Sequence, residues 1–108
     1  MPLPEEKKIT VIFRIEAGCL GPQGISHVAK FCAKAHQSFS NLNSGFMNWK
    51  IIPRHDKSLP ELDYSIAGRP LTREHASKYL QHFDLEIDKF EMELFDKLPE
   101  MIDQYFGR

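Results

Sequence analysis

Ile9-Thr10-Val11-Ile12-Phe13-Arg14-Ile15-Glu16, followed by Ala17-Gly18-Cys19-Leu20-Gly21-Pro22-Gln23-Gly24 and then Ile25 to Phe39, is the stretch that decides how this chain folds. Ile9, Val11, Phe13 and Ile15 fall on one side of an extended backbone, and Thr10, Ile12, Arg14 and Glu16 on the other. That period of two predicts a half-buried strand. Three glycines and a proline then break the alternation. Gly21 followed by Pro22 suits a helix N-cap and first turn, where a missing N–H costs nothing. Ile25, Val28, Phe31, Cys32, Ala35 and Phe39 recur at helical spacing, so a helix is expected to follow, with this stripe against the strand.

Reading outward, residues 1–8 form a proline- and glutamate-bearing flexible arm, and 9–108 a single domain. Ser38 to Gly45 is a polar loop. Phe46 to Ile52 reads as a second strand, with Met47, Trp49 and Ile51 on one side and Pro53 as its stop. Leu62, Tyr64 and Ile66 alternate as a third strand, ended by Gly68-Arg69-Pro70. Thr72 is an N-cap candidate. Leu80, Phe83, Ile87, Phe90 and Leu94 then step at heptad-like spacing, which predicts one long helix from Thr72 to Lys97. Pro99 is expected to kink or end it and to open a short last helix that Gly107 closes.

The order is therefore β-α-β-β-α-α, an α+β class. Two strands joined by a helix prefer a right-handed parallel crossover. The third strand is expected between them or at the edge, antiparallel to the second. The result is a small three-stranded mixed or antiparallel sheet with helices packed on one face, a split β-α-β-like architecture. Trp49, Tyr64 and Tyr79 are assigned to the core.

The 108 residues are 42% apolar and 27% charged, with a formal net charge of −1. A disordered chain would be poorer in apolar residues. No apolar run approaches the roughly 18 residues of a membrane span, and the first residues lack the apolar stretch of a secretory signal. A cytoplasmic setting without membrane contact is expected, in which Cys19 and Cys32 stay free thiols. The near-neutral total conceals a polarity: residues 1–70 carry nine basic to six acidic side chains, and 71–108 carry five to nine.

A helix of that predicted length would span about 39 Å, longer than the roughly 34 Å body it covers. It carries Leu85, Met92 and Phe95 outside its main stripe. Together with Phe90 they are the expected interface of a homo-oligomer, most economically a dimer. The basic and acidic halves would complement each other between subunits, making the assembly salt-sensitive.

Candidate chemistry centres on the glycine turn. Gly18, Cys19, Gly21 and Gly24 lie between strand and helix, where free N–H groups can hold a phosphate or carboxylate, and Arg54 and His55 are expected to contribute from a charged loop. The spacing matches neither G-x-G-x-x-G nor G-x-x-x-x-G-K-[ST]. Cys19 is the candidate nucleophile, because a helix N-terminus stabilises thiolate, whereas Cys32 on the apolar stripe reads as a small buried hydrophobe. Five histidines are present, but no C-x-x-C or H-E-x-x-H accompanies them, so no metal or cofactor is expected. Arg14, Lys50 and Arg54 could make a basic sheet side for an acidic protein partner. Without an RNA-binding signature or helix-turn-helix, nucleic acid ranks below that. The leading expectation is a homo-oligomeric interaction module without catalysis. The alternatives are a small-anion sensor or enzyme at the Gly18–Gly24 turn, and a weak nucleic-acid binder.

Overall fold

Alternation along β1 (Ile9–Ile15) sends four side chains fully inward and leaves three half-buried, and β1 becomes the centre of the sheet. The computed structural model describes residues 3–107. Its sheet has four strands in the order β2-β1-β3-β4, with β2 (Met47–Pro53), β3 (Leu62–Ile66) and β4 (Arg69–Leu71). β1 runs parallel to β2, pairing Val11 with Trp49, and antiparallel to β3, pairing Val11 with Tyr64. The third strand therefore lies on the far side of β1 from β2, running antiparallel to β2 as expected but not between the first two strands, and the edge beyond it is taken by β4.

The fourth strand corrects the expected count of three. Ala67 and Gly68 both take positive φ, 52° and 79°, the signature of a two-residue turn that folds the chain straight back. Ile66 then pairs with Arg69 and Tyr64 with Leu71. Pro70 is tolerated because β4 is an edge strand and needs no donor on its outer side.

The helices are α1 (Gly24–Phe39), α2 (Arg73–Gln81) and α3 (Ile87–Tyr105). The single long helix expected from Thr72 to Lys97 is thus two. Asp84 at φ 61° ends α2. Leu85 N–H reaches back to Leu80 C=O at 3.0 Å and Asp84 N–H to Gln81 C=O at 3.1 Å. This is a Schellman closure with aspartate where glycine is usual. Thr72 does cap α2, its hydroxyl accepting from His75 N–H at 3.1 Å. Pro99 neither ends the helix nor opens a separate short one as expected: α3 runs through it to Tyr105. Pro99 is on the exposed side, where the hydrogen bond its ring removes can be replaced by solvent. Gly107 at φ 72° follows the end of α3.

The core joins the inner face of the sheet to all three helices. Phe39 stacks on Trp49 with ring centroids 4.9 Å apart, and Phe90 leans on Trp49 at 5.9 Å. Trp49 satisfies its indole N–H on Leu42 C=O at 2.9 Å, and Tyr64 is buried on the same face, across Val11 from it. Tyr79 is half-buried, donating toward Lys7 and Phe46 carbonyls at 2.8 and 3.1 Å. The expected loose arm is tied down over its described part: Leu3 N–H binds Gly45 C=O at 2.9 Å, and Asn48 Nδ2 binds Glu5 at 2.8 Å. Met1 and Pro2 lie outside the described residues. No helix among the described residues is long and apolar enough to cross a membrane.

Candidate functional site: a groove where the glycine turn meets the last helix

After β1 the chain makes a 3-10 turn at Ala17–Leu20, and Gly21 takes φ 91° to redirect it. Pro22 and Gln23 complete the bend, so α1 begins at Gly24, two residues later than the Gly21-Pro22 signal implied. Gly24 is there for space. A Cβ built on it would sit 1.7 Å from the Ala17 carbonyl oxygen, so the helix start presses directly on the turn.

This bend forms one wall of an open hollow of about 520 Å³, lined by Cys19, Gly21, Pro22 and Gln23 and closed by His27 of α1 and Phe106 beyond α3. A second hollow of about 650 Å³ adjoins it through the same His27 and Phe106, and adds Lys30, Lys34 and Tyr105. The two form one groove between the N-terminal half of α1 and the C-terminal end of α3.

His27 and Tyr105 hold the groove together. His27 Nδ1 and Tyr105 Oη are hydrogen-bonded at 3.1 Å. Where the tyrosine hydroxyl donates, the ring proton resides on Nε2, leaving it a donor for a ligand. The imidazole also meets Tyr105 and Phe106 edge-to-face at 5.6 and 5.1 Å. Lys34 places its ammonium 5.6 Å from the centre of the Tyr105 ring, a cation–π contact that fixes a charge on the groove wall.

Of the expected ligand-binding residues, Cys19 and Gly21 line the groove. Gly18 is exposed outside it, and Gly24 is buried beneath it. Arg54 and His55 stand elsewhere, beside a smaller hollow of about 180 Å³ with Ile25 and Pro53. Arg54 is committed to its own loop: it donates to Glu16 at 2.6 Å and to the Lys57 and Leu59 carbonyls. Ile25, expected on the inner stripe of α1, is 87% exposed beside that hollow.

Cys19 is exposed but not activated. Desolvation pushes its thiol above the ordinary range, and the Glu61 and Glu16 carboxylates push it further. This is the reverse of the thiolate stabilisation expected at a helix start, because the flanking charges are negative. Cys32 is buried, which raises its thiol to about 11. The basic sheet side is largely neutralised within the chain. Arg14 pairs with Asp63 at 3.1 Å and Arg54 with Glu16, leaving Lys50 of the three without an ion pair among the described residues. His36 is exposed while Cys32, one turn away, is buried. No group of three His, Cys, Asp or Glu side chains among the described residues is placed to hold a metal ion.

The expected interface residues divide. Phe90, only 5% exposed, and the half-buried Leu85 belong to the chain's own core. Met92 and Phe95 remain 63% and 39% exposed, the latter with its ring edge-to-face on Phe13 at 5.8 Å. His27, Lys30, Lys34, Tyr105 and Phe106 were not singled out as a site in the sequence. They lie 78 residues apart at the His27–Tyr105 bond, and their one local signal was the spacing of His27, Lys30 and Lys34 along a single helix face. Comparison with protein-family models, curated proteins and solved structures returns no match.

Proposed function

We propose that this chain is a small-molecule-binding domain without catalysis of its own, taking a phosphate or carboxylate in the groove between α1 and the end of α3. The observation that supports this reading is the charge of the groove wall. His27, Lys30 and Lys34 line it together with the Cys19 thiol and the Tyr105 hydroxyl, and no described carboxylate does. Basic side chains on a concave wall concentrate counter-charged solutes, and Lys30 and Lys34 belong to the α1 hollow, whereas Glu16 and Glu61 act on Cys19 at the turn. The non-catalytic half of the reading is supported by Cys19, the candidate nucleophile, whose surroundings push its thiol above the ordinary range.

Thermal unfolding in sodium phosphate, against sodium chloride of equal ionic strength, tests the reading. A ligand that prefers the folded state stabilises it by about 2.7 kcal/mol at a hundred times its Kd. A rise in midpoint that Lys30→Glu and Lys34→Glu abolish is expected, and equal midpoints in the two salts would sink the proposal.

Self-association is a second reading, favoured by Met92 and Phe95 alone, since they stay exposed one turn apart on α3. It is weaker than the helix length implied. The 19 residues of α3 span about 28 Å, which fits within the 40 Å long axis of the body.

A further inference from the structure

We infer that the ligand of this groove is a planar aromatic or heteroaromatic ring joined to a phosphate or carboxylate; the inference rests on the anion-binding reading above. The two hollows are chemically unlike. Lys30 and Lys34 lie on the α1 side, whereas the turn side, lined by Cys19, Pro22, Gln23 and Phe106, carries no permanent charge, and His27 borders both. An anion has reason to occupy only the first. A bare phosphate there would leave the second unfilled.

The turn side suits something flat. Phe106 is shared by both hollows, and its ring makes T-shaped contacts with His27 at 5.1 Å and Tyr105 at 5.0 Å. It is therefore an aromatic surface at the junction whose orientation is fixed before a ligand arrives. Pro22 lines the turn-side hollow with a rigid apolar ring. Gln23 lines the same hollow, and its amide can both donate and accept, as a heterocycle's polar edge requires. Because both hollows meet at His27 and Phe106, the ring and the anion belong to one molecule, joined by a short link across that junction. Nucleoside monophosphates and aryl carboxylates share this chemistry.

Isothermal titration of the full chain with adenosine monophosphate, inorganic phosphate and adenosine separates the parts, with benzoate against acetate as the carboxylate pair. Stacking on an aromatic side chain adds affinity for any ring, so the ring-bearing anion of one pair is expected to bind about tenfold tighter than its bare anion. Phe106→Leu keeps the wall apolar but removes the ring, and should erase that difference. Lys34→Glu should weaken both members of the pair while leaving adenosine unchanged, with far-UV circular dichroism confirming that each variant folds. If phosphate and acetate bind as tightly as their ring-bearing counterparts, the ring inference is overturned and the anion reading stands. If adenosine binds as tightly as its monophosphate and Lys34→Glu changes neither, the anion reading fails. Absence of binding by every probe at millimolar concentration overturns both.

Discussion

The Tyr64 hydroxyl donates to Glu91 Oε2 at 2.7 Å, binding the middle of β3 to α3. Glu91 is held from its other oxygen by Arg73 of α2 at 3.0 Å, and Arg73 also reaches Asp88. One carboxylate thus joins three elements that sequence reading had merged or left apart. Burial and the hydrogen bond to Glu91 both raise the Tyr64 phenol above its ordinary range. Tyr64→Phe should destabilise the fold by about 1–2 kcal/mol, the net worth of a hydrogen bond to a charged group less the cost of burying the hydroxyl. Urea denaturation checks it, and a loss within error would mean that the contact merely accompanies the packing.

Three glycines in one turn give a graded series. A Cβ at Gly18 meets nothing within 4 Å, Gly21 sits at φ 91°, and a Cβ at Gly24 would collide with the Ala17 carbonyl. Gly18→Ala should change stability by no more than about 0.5 kcal/mol. Gly21→Ala should cost about 1–2 kcal/mol, from the left-handed conformation alone. Gly24→Ala should cost about 3 kcal/mol or more, since backbone must move to admit the methyl. Any other ranking in urea denaturation would contradict the described geometry.

What could be read from the sequence was what repeats locally. The alternation of Ile9 to Ile15 placed β1 and its inward face, and Val28 to Phe39 placed the buried stripe of α1. What escaped was chemistry carried by an unusual residue in a familiar role. Ala67-Gly68 makes a tight hairpin without the usual Asn-Gly, so β4 passed for a strand end. Asp84 closes α2 where glycine is expected, and the apolar spacing on either side of it runs through as if unbroken. The groove escaped for a different reason. Half of it, the glycine turn, was visible, but Phe106 and Tyr105 reach His27 only once α3 has folded back along α1. Periodicity reports which face is buried, not which distant residue arrives there.

The two thiols should differ sharply. Cys19 is exposed and Cys32 buried, so a disulfide reagent at mild alkaline pH should titrate one thiol in the folded chain and two after unfolding. Burial lifts Cys32 from an ordinary 9.0 to about 11. The folded state therefore holds that proton more tightly than the unfolded chain. The associated stability is intact below about pH 9 and is lost as the pH rises through about 11, up to about 3 kcal/mol in all. Urea denaturation across that range should show the decline, and Cys32→Ala should shrink it. An unchanged decline in the variant would assign it to other groups.

Light scattering on a sizing column separates the roles of the α3 aromatics. Phe90→Glu should unfold the chain, because Phe90 packs on Trp49 inside the core. Phe95→Glu should leave it folded, and should shift mass toward the 12.5 kDa monomer only where self-association occurs. A folded Phe90→Glu variant would contradict the assigned core.

The most direct measurement is an amide NMR titration of the full chain with inorganic phosphate at constant ionic strength. Binding at the groove predicts saturable shifts concentrated at His27, Lys30, Lys34 and the end of α3, the basic hollow, with Lys50 on the sheet face and Arg54 in its loop unmoved. Shifts that fail to saturate, or that centre on Lys50 or Arg54, would contradict it.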